Sequence, residues 1–192
     1  YDYEAIIPGL LKRWYEERQE MQRKMRECGD NEIEREYWDK RQLVKKINLN
    51  SLYGAILNPG CRFFDMRIGQ SVTLTGRCIT QHMASKVNEV VTGEYDHKGE
   101  SIVYGDTDSV YFSAFKTLQK EIKEGVIPWT KDSVVALYDK IADEVNSSFK
   151  SFMTKAFHTP STRGEVIAAG RELVASKGLF ITKKRYAVLY YD

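Results

Sequence analysis

Apolar positions recur along this chain in two rhythms, a helical one over the first two thirds and an alternating one toward the end. Ile6-Ile7-Pro8-Gly9 opens a polar stretch in which Leu11, Trp14, Met21 and Met25 return near the 3.6-residue period, with Arg18 on or beside the same stripe. Pro8 suits the first turn of such a helix. Cys28-Gly29-Asp30-Asn31 is a stop followed by a restart: Gly29 can take a left-handed conformation, and Asn31 with Glu34 resembles a capping box. A second helix is expected from about Glu32 to about Ile56, antiparallel to the first because the turn between them is so short. Leu57-Asn58-Pro59-Gly60 breaks it.

Val72, Gly76, Ile79, Met83, Val87 and Val90 mark a third amphipathic helix that ends at Gly93. After the polar turn 94–100, Ser101–Tyr104 and Ser109–Ser113 read as a β-hairpin. Thr130 starts a further helix, with Val134, Leu137, Ile141, Val145, Phe149 and Phe152 on one face. Toward the end, Glu165–Ala168, Gly178–Thr182 and Arg185–Tyr190 carry aromatic and β-branched residues among glycines and are expected to be antiparallel strands. The pattern predicts an α+β chain: a helical hairpin projecting from a lobe that packs helices on an antiparallel sheet.

Composition narrows this picture. Apolar residues make up 42% of the 192, enough for a packed core, and the net charge of +2 favours no partner. Basic residues are nevertheless clustered, at Arg23-Lys24-Met25-Arg26, Lys45-Lys46 and Lys183-Lys184-Arg185, as phosphate binding requires. The alternative is a set of solvated helix faces. Cys28, Cys61 and Cys78 are far apart and form no Cys-x-x-Cys pattern, which excludes a zinc or iron–sulfur site built on them and fits a reducing, cytoplasmic setting. No apolar run approaches the roughly 20 residues of a membrane span. No signal peptide is seen, and a chain that begins at Tyr1 in already structured sequence reads as a piece of something longer.

Two segments carry candidate chemistry. In Tyr104-Gly105-Asp106-Thr107-Asp108-Ser109, strand lies on both sides, so Asp106 and Asp108, two apart in extended chain, are expected to point the same way. Two close carboxylates repel unless a cation lies between them, and such hard oxygen ligands suit Mg²⁺. A turn that merely favours Asp and Gly is the alternative. In Lys46-Ile47-Asn48-Leu49-Asn50-Ser51-Leu52-Tyr53-Gly54, helical spacing places Lys46, Asn50 and Tyr53 on one face, beside an apolar face of Leu49, Leu52 and Ile56. An ammonium, an amide and a flat ring, with room left by Gly54, are groups that could receive a nucleotide triphosphate; an ordinary solvated face is the other reading.

Taken together these segments resemble the family B DNA polymerases. The family's Lys-x-x-x-Asn-Ser-x-Tyr-Gly is met by Lys46, Asn50, Ser51, Tyr53 and Gly54, its Tyr-Gly-Asp-Thr-Asp-Ser by Tyr104 to Ser109, and its Lys-Lys-Arg-Tyr by Lys183 to Tyr186. Asn-Ser-Leu-Tyr-Gly-Ala, Arg62-Phe63-Phe64-Asp65-Met66-Arg67 and Ser176-Lys177-Gly178 are similar to the wording of T-even-type phage members. The resemblance runs from about Ile6 to Asp192. It implies a fingers hairpin over residues 1–58 and a partial palm over 59–192. It implies a DNA-templated polymerase that adds a dNTP to a primer 3′-hydroxyl with two Mg²⁺ ions. Asp106 and Asp108 match the palm acids facing the metals, and Glu165 the third acid. Lys46 and Arg18 match the triphosphate-binding cations, Asn50, Tyr53, Gly54 and Thr107 line the nucleotide site, and Lys183, Lys184, Arg185 and Tyr186 hold primer–template DNA. Asp106, Asp108 and Lys46 would act in the reaction itself.

Three departures stand out. Gln22 occupies the position where the family usually has a second phosphate-binding lysine, so that either Arg23 takes over or one charge is lost. Arg18 and Lys46 are only 28 positions apart, nearer the compact fingers of cellular members. The family's first palm motif, Asp-x-x-Ser-Leu-Tyr-Pro-Ser, occurs nowhere in this sequence, nor do exonuclease acids or a thumb. The chain is therefore expected to need the remaining polymerase segments and to be inactive alone. A non-catalytic nucleic-acid-binding module and an RNA-templated polymerase are the rival functions; the Asn-Ser-Leu-Tyr-Gly segment argues against the latter.

Overall fold

The computed structural model describes residues 4–160 and 164–191; Tyr1 and Asp192, the limits of the two expected subdomains, lie outside them. The elements run α1 (Ile6–Glu27), α2 (Glu32–Leu57), α3 (Met66–Thr92), β1 (Ile102–Asp106), β2 (Ser109–Phe112), α4 (Gln119–Lys123), α5 (Lys131–Phe157), β3 (Ala175–Thr182) and β4 (Arg185–Tyr190). The class is α+β, as the pattern predicts. Contacts divide the chain into two compact units, the first ending at Thr73 and the second beginning at Leu74, within α3.

The first unit is built on the α1–α2 hairpin. Leu11, Trp14, Arg18, Met21 and Met25 are half-buried, so the predicted stripe is the inner face of α1. Gly29 takes φ +53° where the chain leaves α1, a conformation costly to any residue with a Cβ. Asn31 then caps α2: its side-chain oxygen accepts from the Glu34 backbone N–H at 3.2 Å, and its amide donates to the Glu34 carboxylate at 3.3 Å. The cross-helix pairs run in opposite senses along the two helices, which makes them antiparallel. Lys45 meets Glu17 at 2.5 Å, Arg18 Nε donates to Gln42 Oε1 at 3.2 Å, and the Lys24 ammonium lies 4.6 Å from the Trp38 ring centre. At the far end of α2, Ile56 is buried and the Leu57 side chain presses on Gly69. A Cβ at Gly69 would stand 2.0 Å from Leu57 Cδ2, so a larger residue there would force the Leu57 side chain to move. Asp65 accepts from the Arg67 backbone N–H and side chain, which holds its carboxyl down at about 2.

The core of the second unit is Val87 from α3 with Ile141, Val145 and Phe149 from α5; Ile102 of β1 and Phe112 of β2 pack against it. Helix α5 starts where the sequence predicts, with the Thr130 hydroxyl accepting from Ser133 N–H. Two polar residues inside this lobe are fully matched. Asn88, with no exposed surface, accepts from Ser101 N–H and Oγ–H and donates to the Glu94 carbonyl. His82 lies between the Tyr95 hydroxyl (2.7 Å) and Ser148 Oγ (2.9 Å), stacked on Phe152 at 3.9 Å. Ser148 already donates to the Val145 carbonyl, so Nε2 of His82 carries the proton shared with Ser148, and burial lowers the imidazole's pKa.

Two expectations need correction. The strands form two separate antiparallel pairs, β1–β2 and β3–β4, and not one sheet among the described residues. Glu165–Ala168 is not a strand. Ile167 and Ala169 do bury apolar surface against the α5 core, which accounts for the apolar pattern. Their neighbouring backbone is met by a side chain, not a ladder: Asn146 Nδ2 donates to the Ala169 carbonyl at 2.9 Å, and Ala169 N–H donates to Asn146 Oδ1 at 2.7 Å. The pattern also gives no sign of α4, a single short turn of helix.

Asn146→Ala removes both bonds at once. It should lower stability by about 1–3 kcal/mol, the cost of partly buried backbone groups left unpaired. Thermal denaturation should register this as a drop of about 2–4 °C per kcal/mol; an unchanged midpoint would show that the 164–170 segment is held by its apolar contacts alone.

Candidate active site

The acids lie on the β1–β2 hairpin. Strand pairing continues to Asp106 opposite Ser109, which leaves Thr107 and Asp108 as a two-residue turn. The chain therefore reverses between the acids and is not extended through them, so the sequence argument from strand alternation does not apply. Both belong to the same tight turn, Asp106 at its start and Asp108 at its tip. Asp106 closes β1 with only 18% of its side chain exposed, and Asp108 stands exposed at the tip. Thr107 takes φ +45°, unfavourable for a β-branched residue. Its hydroxyl donates to Asp106 Oδ1 at 3.2 Å, and the Ser109 hydroxyl donates to the Asp106 carbonyl at 3.1 Å. From α3, Thr80 Oγ1 donates to the Thr107 carbonyl at 2.9 Å.

The basic motif forms the other side of this arrangement. Lys183 and Lys184 make the turn between β3 and β4, Lys184 with φ +64°, and Arg185 and Tyr186 begin β4. Lys183 Nζ lies 3.9 Å from Asp106 Oδ1, and the Lys184 backbone N–H donates to the Tyr104 hydroxyl at 2.7 Å. Tyr104 faces Tyr111 across the first hairpin and Phe180 faces Tyr186 across the second. The two pairs pack into one cluster with ring centres 5.3–5.9 Å apart. Tyr111 also donates its hydroxyl proton to the Tyr186 oxygen at 3.0 Å. That bond, then burial, pushes the Tyr111 phenol up to about 12.

The sequence motifs do not mark Thr80 or Phe180. Cross-strand pairing of aromatic positions in the two hairpins was a usable signal for the ring cluster. Nothing local ties Thr80 to a turn 27 residues later.

Two carboxylates on one turn offer the hard oxygen donors that Mg²⁺ takes together with water and phosphate. The Lys183 ammonium lies 3.9 Å from one of them, Asp106. Glu165 lies on the segment after α5, exposed, with Oε1 2.5 Å from Lys150 Nζ. Among the described residues no three His, Cys, Asp or Glu side chains are grouped to hold a metal.

The other predicted residues belong to the first unit. Lys46 and Asn50 are exposed on α2, and Lys46 has no ion pair among the described residues. Tyr53 is half-buried and donates its hydroxyl to the Gly69 carbonyl at 3.4 Å, which steadies its ring. Gly54 opens on free space: a Cβ there meets nothing within 4 Å. Arg18 is half-buried, with Nε on Gln42 and no carboxylate partner among the described residues. Arg23 differs. It is clamped between Glu20 (2.6 Å) and Glu27 (2.7 Å), both of which hold its charge in place.

The chain matches DNA polymerase family B over residues 2–192. It is 34% identical over 163 residues to the DNA-directed DNA polymerase of Escherichia phage RB69, covering 79% of this chain and 18% of that protein. It is 28% identical to DNA polymerase 1 of Pyrococcus abyssi, covering 98% of this chain and 20% of that protein. To the DNA polymerase delta catalytic subunit of Oryza sativa subsp. japonica it is 30% identical, covering 97% and 15%. The chain thus spans about a fifth of the length of these curated relatives. Among the described residues no helix is long and apolar enough to cross a membrane.

Tyr186→Phe keeps the ring and deletes the hydroxyl that holds Tyr111. The Tyr111 phenol should then ionise at a lower pH than about 12, which ¹³C NMR of labelled tyrosine can follow. With its raised pKa, Tyr111 adds stability that is present below the ordinary phenol value and is lost as pH rises through the folded one. The variant should therefore be less stable than the parent at neutral pH, with the difference shrinking as pH rises toward about 12, and an unshifted Tyr111 titration would mean that burial and not the hydroxyl sets it.

Proposed function

The chain belongs to DNA polymerase family B, and from that premise we propose that it is the fingers and partial palm of a DNA-templated polymerase. The observation that carries the reading is the docking of the basic turn Lys183–Tyr186 on the hairpin that bears Asp106 and Asp108. An acid turn that can hold metal stands beside cations that can hold a phosphate backbone.

Residues 1–58 act as the fingers and 59–192 as the palm. Asp106 and Asp108 would hold Mg²⁺; Glu165, paired with Lys150 and not grouped with them, would have to move to serve as a third acid. When bound, such ions stabilise the attacking and leaving oxygens of a phosphoryl transfer. The chain's own residues do the rest by position and charge. Lys46 and Arg18 neutralise the triphosphate, and each can do so because among the described residues no carboxylate holds it. Asn50 and Thr107 line the nucleotide, and Tyr53 offers its ring to the nascent base pair beside the space at Gly54. Lys183, Lys184, Arg185 and Tyr186 hold the primer–template duplex through its phosphates, with little base information. Arg23 does not replace the lysine absent at Gln22, because Glu20 and Glu27 occupy it. The motif Asp-x-x-Ser-Leu-Tyr-Pro-Ser, absent from this sequence, would come from the remaining polymerase segments, and without them these residues do not extend a primer.

In a polymerase carrying this segment, Asp108→Ala should slow nucleotide addition about a thousandfold while primer–template affinity stays near that of the parent. A non-catalytic binding module would show no such split. Retention of more than about a tenth of the rate would remove Asp108 from the metal site.

Gly54→Ala separates fold from function. The new methyl meets nothing within the protein, and alanine favours a helix over glycine by about 0.5–1 kcal/mol. Stability should hold or rise, whereas dNTP incorporation should fall because the methyl enters the space assigned to the base pair. Full incorporation by a well-folded Gly54→Ala enzyme would move the nucleotide elsewhere.

A further inference from the structure

We infer that Thr80 is a positioning residue for the acid-bearing turn, its hydroxyl fixing the backbone of Thr107 and thereby the bearing of Asp106 and Asp108. This rests on the reading of those two acids as metal-holding groups. Thr107 sits at φ +45°, between them in the chain. A β-branched residue leaves that region for an ordinary one unless its surroundings constrain it. The bonds inside the turn do not supply the constraint. Thr107 Oγ1 to Asp106 and Ser109 Oγ to Asp106 join near neighbours and would travel with the turn into another shape.

Among the described residues, one hydrogen bond reaches Thr107 or Asp108 from outside the hairpin, and it comes from Thr80 at 2.9 Å. Thr80 is well placed to act as a fixed point. Its neighbours on α3, Ile79 and Met83, pack against the Val87, Ile141, Val145 and Phe149 core. The same hydroxyl also lies 3.1 Å from the Gly76 carbonyl of its own helix, so its single proton is shared between α3 and the turn. That sharing ties the turn to the rigid part of the lobe and leaves the bond modest in strength. Lys183, 3.9 Å from Asp106, comes from a flexible and 76% exposed side chain and cannot set a backbone angle.

The test uses a polymerase carrying this segment, with Thr80→Val, Thr80→Ser and Asp108→Ala. Valine keeps the shape and β-branching of threonine and removes only the hydroxyl; the exposed Thr107 carbonyl can turn to water, so the fold survives. Mn²⁺ binding is followed by electron paramagnetic resonance in the presence of primer–template, and single-nucleotide addition by rapid quench. Thr80→Val should weaken Mn²⁺ binding and slow addition by about three- to tenfold, the weight of one lost hydrogen bond, with melting temperature unchanged. Thr80→Ser should restore both. Parental Mn²⁺ binding in Thr80→Val, or a serine variant as impaired as the valine one, would overturn the inference. If Asp108→Ala itself binds Mn²⁺ as the parent does, the metal reading of the turn fails; if only Thr80→Val does, the role of Thr80 fails and that reading stands.

Discussion

A two-stranded β-hairpin is at best marginally stable in water, and this chain puts its candidate metal acids on one. Everything around the β1–β2 hairpin can be understood as the means of holding it. Its inner side, Ile102 and Phe112, packs on the α3–α5 core. Another side carries Tyr104 and Tyr111 onto Phe180 and Tyr186 of the second hairpin, itself too small to stand alone. Two hydrogen bonds between hairpins, at Tyr104 and Tyr111, fix the register of that contact. The ring cluster thus has a chemical consequence: it sets the basic turn beside the acidic one, a distance that flexible lysines alone would not hold.

How the cations are paired says as much as where they are. Exposed ion pairs on a helix add a few tenths of a kcal/mol each, so Arg23 with Glu20 and Glu27, and Lys45 with Glu17, are ordinary means of dressing the α1–α2 hairpin. Lys46 follows Lys45 in sequence yet is exposed, with no ion pair among the described residues. Leaving such a charge unpaired costs little stability and leaves it available to a phosphate. In the cluster at residues 23–26, Arg23 and Lys24 are paired and Arg26 has no ion pair among the described residues, so each basic cluster mixes paired and unpaired cations, a distinction that composition alone cannot draw.

The long helices and both hairpins were legible in the sequence because each depends on local periodicity, capping and turn chemistry. Asn31 with Glu34, Gly29 and Thr130 act as their residue types suggest. What was not legible depends on partners distant in the chain. Glu165–Ala168 carries a strand-like pattern, but the pattern reports burial only, and Asn146, some twenty residues earlier, meets the backbone that a neighbouring strand would have met. The separation of the strands into two pairs has the same origin, since alternation shows which face is buried and not which strand lies alongside. At the site, the alternation argument for the two candidate acids does not apply, because the chain turns between Asp106 and Asp108 and is not extended through them.

That difference bears on how such a turn can carry two acids at all. On an extended strand, Asp106 and Asp108 would share a face automatically and Thr107 could be any residue pointing away. In a two-residue turn the side-chain directions follow from the backbone angles of Thr107, which here lie in a region the residue disfavours. The bearing of the carboxylates is then a property of the surroundings, held by α3 on one side and met by the basic turn on the other. An acid pair built this way can be well aimed without a stiff local scaffold, provided the lobe behind it is packed. The buried Val87, Ile141, Val145 and Phe149 supply that packing, so the large-to-small changes that cost about 2–5 kcal/mol in a core would also be felt at the turn.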